Sequence, residues 1–203
     1  VVSPIISEKK IIGFYGVDNL PEKFLYHIAH MLQTLGYFLV SVLRRRNLVR
    51  RLEEMCFLDQ LTGIGNRHAM NEAIAKIKPE KSIGLLYCDV MGLKRANDTK
   101  GHGAGDELLI RASECLEREF GEYNLFRVGG DEFLVLCEGI SEEELLKRIE
   151  LVREDMKKSD AMMALGFVWR ADGRQSPDAL IAEADNRMYE EKMEWYMKKE
   201  KLL

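Results

Sequence analysis

The run Arg127-Val128-Gly129-Gly130-Asp131-Glu132-Phe133-Leu134-Val135-Leu136 joins two strand-like halves through a glycine pair and two consecutive acids. Gly-Gly permits the positive backbone angles of a tight hairpin, which would hold Asp131 and Glu132 at its tip. A second acid follows a similar logic. Ser82 to Asp89 is an apolar strand pattern ending in a carboxylate that apolar burial would not select. Acids at a turn can simply cap it, but two strand-end carboxylates that converge suit a hard cation and phosphate chemistry.

The segments around the hairpin alternate. A helix is expected after Asn66, a strand over Ile83–Asp89, a helix over about Gly105–Phe120, the hairpin over Leu125–Cys137 and a strand over Ala161–Trp169. Ser141-Glu142-Glu143-Glu144 has the form of a capping box, and Pro177 suits the first turn of a last helix. This order predicts an α/β (α+β) sandwich with an antiparallel central sheet. With 203 residues and 46% hydrophobic content, the chain can bury one good core plus an appendage.

Charge and cysteine usage narrow the partners. A net charge of −4 gives no general reason to expect nucleic acid, so phosphate recognition must be local. Cys56, Cys88, Cys115 and Cys137 form no CxxC pair and sit in apolar patterns, which predicts buried thiols and a cytoplasmic location. No basic segment precedes an apolar core with a cleavage site, so no signal peptide is expected. The chain is expected to be an excised piece of a longer protein.

Three parts are expected: a strand remnant at residues 1–21, a long linker helix at 22–58 and a catalytic domain at 59–203. In the helix, Met31, Leu35, Phe38, Val42, Arg45, Val49, Leu52 and Cys56 follow alternating steps of four and three, a seam suited to a parallel helix pair. Val1 to Asn19 would be an orphaned edge in need of another partner. Phe24–Leu43 is mostly apolar and is followed by Arg44-Arg45-Arg46, as in a membrane span. His27, His30, Gln33 and Thr34 argue against a span, because they would sit within the hydrocarbon.

Four ordered motifs carry a family resemblance: Asp59-Gln60-Leu61-Thr62-Gly63-Ile64-Gly65-Asn66-Arg67, Asp89 to Asp98 running into Gly101 to Asp106, the Gly129 to Phe133 hairpin, and Ala184 to Lys192. The chain resembles the GGDEF domain of diguanylate cyclases, which condense two GTP into cyclic di-GMP. The resemblance implies a βαββαβ core like that of nucleotide cyclases and the polymerase palm. It implies Mg²⁺ or Mn²⁺ held by Asp89, Asp131 and the Val90 carbonyl, with Glu132 helping the metal or activating the hydroxyl. Asn97 and Asp106 match guanine-reading positions. Lys94 and Lys192 match phosphate contacts, and the amides near Gly92 and Leu93 should approach the terminal phosphates. Residues 1–58 resemble the end of a GAF-like sensor.

The chain departs from the family pattern at three places. Met91 stands where many members have an acid or asparagine, and Tyr196 stands at an often basic position. Phe120 and Tyr123 replace the arginine and aspartate of the product-inhibition RxxD motif, so feedback through that site is expected to be absent. His102, Trp195 and Tyr196 are read as structural, His68 is left unassigned, and Asp59 and Arg67 are read as links between helix and domain. The leading expectation is a homodimeric cyclase; the alternative is a catalytically inactive GTP-binding or dimerisation module.

Overall fold

The computed structural model describes residues 1–7, 10–19, 21 and 24–200. The chain divides into two compact units, Val1–Glu54 and Met55–Leu203. In the first, strands β1 (Val2–Ser7) and β2 (Lys10–Gly16) form an antiparallel two-stranded ribbon. The expected orphaned edge therefore pairs within its own segment. The long helix α1 spans Leu25–Phe57; its expected start at Glu22 lies outside the described residues. Within this unit the helix buries Leu32, Gly36 and Val40, one stripe at steps of four, and Tyr15 packs against Gly36.

The seam predicted for helix pairing is a different stripe, and it is open: Met31, Leu35, Phe38, Val42, Val49, Leu52 and Cys56 are all exposed. Cys56 is thus the exception to the expectation of buried thiols, whereas Cys88, Cys115 and Cys137 are buried. No described helix is long and apolar enough to cross a membrane.

The second unit is built on a sheet ordered β3-β5-β6-β4-β7, from β3 (Gly65–Asn66), β4 (Ile83–Val90), β5 (Asn124–Arg127), β6 (Glu132–Glu138) and β7 (Met163–Arg170). Every pair is antiparallel except the short β3–β5 contact. Helices α4 (His102–Phe120) and α5 (Glu142–Ser159) cover one face. Helices α2 (Arg67–Ile74) and α6 (Pro177–Glu200) cover the other. With both faces covered, β4 reads as a continuous apolar run. Its alternation nonetheless decides the chemistry: Leu86, Cys88 and Val90 enter the α4/α5 core, while Ile83, Leu85 and Tyr87 face α2 and α6. Asp89 follows the second set.

The α/β class and antiparallel sheet agree with the sequence expectation. Ser141 caps α5 by accepting from the Glu144 amide, and the Glu144 carboxylate turns to Arg148 instead of closing a reciprocal box. Helix α3 (Leu93–Lys100) was not anticipated; its eight residues bury none of their side chains, so no apolar stripe announces it. Helix α4 begins three residues before the expected Gly105.

Candidate active site

The end of β4 and the hairpin tip meet through the backbone: the Val90 amide donates to the Asp131 carbonyl at 2.9 Å. This contact brings Asp89 and Asp131 to one cavity of about 420 Å³, lined also by Val90, Gly92, Leu93, Lys94 and Lys192. The glycine pair does not work as expected. Neither Gly129 nor Gly130 has a positive φ; a Cβ on Gly129 would instead strike the Glu132 carboxylate, which folds back over it. Gly92 is the residue that needs left-handed backbone, with φ of 82° at the entry to α3.

Asp89 is almost buried, with 8% of its side chain exposed, and its Oδ2 accepts from the Lys192 ammonium at 2.7 Å. Its Oδ1 is buried with no hydrogen-bond partner. Burial raises the Asp89 carboxyl above the usual carboxylate range, Lys192 pulls it back, and the charge of Asp131 pushes it further up. Burial opposes the Lys192 charge, but the bond to Asp89 holds its ammonium above the usual lysine range. Glu132 is likewise raised, first by burial and then by Asp131 and Asp89. Burial is the main cause of both upward shifts, and the mutual repulsion of the acids adds to it.

Lys192 reaches Asp89 because α6 packs closely on β7. A Cβ on Gly166 would run into the Ala184 carbonyl and the Met188 amide, so only glycine lets helix and strand backbones approach this far. Met188, one turn before Lys192, is buried with Met91 and Ala164. Met91 therefore packs an apolar core instead of facing the cavity. Tyr196 lines the cavity, and Trp195 meets it edge to face at 5.2 Å.

Among the described residues no three His, Cys, Asp or Glu side chains form a ready-made metal cage. The donor set still fits Mg²⁺ or Mn²⁺, because such ions are commonly held by one or two carboxylates plus substrate phosphates. The unpartnered Asp89 Oδ1 is an acceptor of the kind a hard cation takes.

The predicted base-reading residues lie apart from this cavity, at the junction of α3 and α4. Asn97 packs against Gly105, where a Cβ would collide with its amide, and its Oδ1 is buried without a partner. Asp106 follows on α4 and is exposed. Glu132 does not line the cavity either.

Arg127 and Asn66 are the residues that sequence reasoning passed over. Arg127 donates to the Gly130 carbonyl at 2.7 Å and pairs with Asp59, 68 positions earlier, at 3.1 Å. Asp59 also accepts from the Thr62 amide and hydroxyl. Burial opposes the Asp59 charge, yet the bonds from Thr62 and Arg127 keep its carboxyl below the usual range. The hairpin tip is thus tied to the turn at the start of the domain. Asn66 makes the other link, donating to the Cys56 and Leu58 carbonyls while its oxygen caps α2. Arg67, which had been expected to do this, is exposed. An arginine at a strand end four residues before an acid was the only available signal.

Arg127→Ala should cost about 1–3 kcal/mol of stability by removing charge-assisted bonds from a half-buried partner. A group with a depressed folded pKa contributes stability above its unfolded value and loses it as pH falls through the folded one. The penalty should therefore shrink on acidification through and below the usual carboxylate range. Thermal denaturation of both proteins across pH measures it, and a pH-independent penalty would remove Asp59 from the account.

Phe120, which stands at the arginine position of the missing RxxD motif, is fully buried. The Arg148 guanidinium lies 5.2 Å from the Tyr123 ring centre and is bonded to Glu144, Glu122 and the Glu119 carbonyl.

The sequence profile of the diguanylate cyclase GGDEF domain matches residues 56–197. An uncharacterized membrane protein of Staphylococcus aureus strain USA300 is 38% identical over 120 residues, which cover 56% of this chain and 33% of that protein. The match thus spans about a third of the length of such curated relatives. Among solved structures, the coiled coil and GGDEF domain of DgcB from Caulobacter crescentus, in complex with c-di-GMP, is similar with a TM-score of 0.71 at 21% identity, covering 80% of this chain and 94% of that one. Diguanylate cyclase SiaD of Pseudomonas aeruginosa, in complex with its activator SiaC, gives a TM-score of 0.62 at 24% identity, covering 85% and 72%. At these identities the two structures show a shared fold.

Proposed function

Because the chain belongs to the diguanylate cyclase GGDEF-domain family, we propose that it condenses two GTP into cyclic di-GMP and two pyrophosphates, with Mg²⁺ or Mn²⁺, as a homodimer. One observation carries this reading: Asp89 and Asp131 line one cavity, and an oxygen of the buried Asp89 has no partner. In the reaction the 3′ hydroxyl of one GTP attacks the α-phosphate of the other, a P–O bond forms, and the bond to pyrophosphate breaks. When bound, the divalent cation neutralises charge on the phosphoryl oxygens and polarises the nucleophile.

The chain's own groups supply the rest. Asp89, Asp131 and the Val90 carbonyl would hold the cation. Gly92, through its left-handed backbone, turns the start of α3 so that the amides near Leu93 point at the terminal phosphates. Lys94 and Lys192 line the same cavity and offer ammonium groups to those phosphates. Glu132 stands opposite Asp89 across the strands, beside the cavity lining, and is assigned to help the metal site or to take the hydroxyl proton. Its raised pKa supports the second role.

Asn97 and Asp106 read guanine, whose N1–H and 2-amino group are adjacent donors. The buried, unpartnered Asn97 Oδ1 supports this assignment. Asp106→Ser should lower the preference for GTP over ATP by about 10–10²-fold, the loss of one charged hydrogen bond to the base. Competition between the two nucleotides measures it, and an unaltered preference would reject the role.

The residues preceding the domain are read as a pairing helix joined to the end of a GAF-like sensor, supported by their strand-then-helix order. Each protomer would hold one GTP, and two must face each other to close the ring. Phe120 and Tyr123 at the motif positions support the reading that the chain lacks an RxxD product site.

Incubating the protein with GTP and Mg²⁺ and identifying the products by mass spectrometry tests the function. Cyclic di-GMP with pyrophosphate is the expected result. GTP binding without product would favour the non-catalytic signalling module.

A further inference from the structure

The residue assigned to phosphate is bonded to the residue assigned to metal. Lys192 places its ammonium 2.7 Å from Asp89 Oδ2, a pair in which the two side chains are 27% and 8% exposed. Such a pair is weakly screened by solvent. A divalent cation would sit about 2.0–2.1 Å from a carboxylate oxygen. An ammonium in direct contact with the same carboxylate would then lie within a few ångströms of it, and the two cations would repel strongly in this half-buried setting. No described trio of acids forms a cage that could outbid the lysine.

Moving the lysine away has its own cost. The cavity around it is lined by Lys94 and Arg95 as well as Asp98 and Asp131, so an ammonium released from Asp89 gives up its direct bond for a setting of mixed charge. A triphosphate reverses that balance by offering Lys192 anionic oxygens in the same cavity. Helix α6 is seated tightly at Gly166, so the exchange must occur in the lysine side chain, whose four-carbon stem allows it.

We propose that Lys192 is the resident counter-ion of Asp89 and gates metal entry: the nucleotide draws the ammonium off Oδ2, and the divalent cation is then admitted at the neighbouring, unpartnered Oδ1. This rests on the reading of the cavity as the metal–nucleotide site. Its consequence is reciprocal coupling, each ligand raising the affinity for the other. Lys192 is therefore a positioning residue for the metal as well as a phosphate contact.

The test is a Mn²⁺ titration of the full chain at pH 8, followed by the electron paramagnetic resonance of free Mn²⁺. It uses the wild type, Lys192→Met and Lys192→Gln, with and without a GTP analogue carrying a methylene bridge between its α and β phosphorus atoms. Nucleotide phosphates bind Mn²⁺ themselves, so the deciding comparison is Mn²⁺ alone. Both variants should bind Mn²⁺ alone about tenfold or more tightly than wild type, within the usual range of coupling. Circular dichroism and melting temperature check that each variant is folded. Affinities equal to or weaker than wild type in both folded variants would overturn the gate while leaving the metal site standing. If wild type bound no Mn²⁺ even with the analogue, the site reading would fall and the gate with it.

Discussion

Asp131→Asn should abolish cyclic di-GMP formation, with a loss of at least about 10²–10³-fold, the scale on which preorganised electrostatic groups act. The amide keeps the size of the side chain but gives up its charge, and it is a poor ligand for a hard cation. Folding should survive, because the hydrogen bond that seats the hairpin tip runs from the Val90 amide to the Asp131 backbone carbonyl. The stability of the unloaded protein should change little, because Asp131 repels Asp89 and Glu132 but also attracts Lys192. Chromatography of the nucleotide products beside a melting curve checks both halves. Cyclisation at the wild-type rate would sink the metal assignment.

Charging the open face of α1 should produce the second large effect. Val42 and Val49 are 47% and 45% exposed, on a stripe that the ribbon of β1 and β2 leaves uncovered. If that stripe joins two chains, Val42→Glu with Val49→Glu places like charges across the seam. Activity per protomer should drop by about tenfold or more at low protein concentration and recover as concentration rises, because the helix pair supplies the effective concentration of one active site for the other. Mn²⁺ affinity should be unchanged, since no residue of the cavity is touched. Sedimentation alongside product assays decides it, and a monomeric variant with full activity would refute both the helix pairing and the two-protomer mechanism.

The sequence determined what local chemistry can determine. Short apolar runs bounded by turn residues placed β4, the hairpin and β7. Ser141 and Pro177 marked the starts of α5 and α6, since capping depends on neighbours a few residues away. Asp89 and Asp131 were legible as candidate ligands because an acid at the end of an apolar strand contradicts its surroundings. Helix α3 was not legible, having no buried side chain to set a period.

Tertiary structure alone decided which groups meet. Asp59 finds Arg127 across 68 positions and Lys192 finds Asp89 across 103, distances over which propensity and periodicity carry no information. It also gave glycines reasons that composition had not: Gly129 makes room for Glu132, and Gly166 lets α6 settle onto β7. The depth of that last contact sets the reach of Lys192. A cation thus meets the buried Asp89 because two backbones pack closely, a fact of packing geometry that no stretch of neighbouring residues encodes.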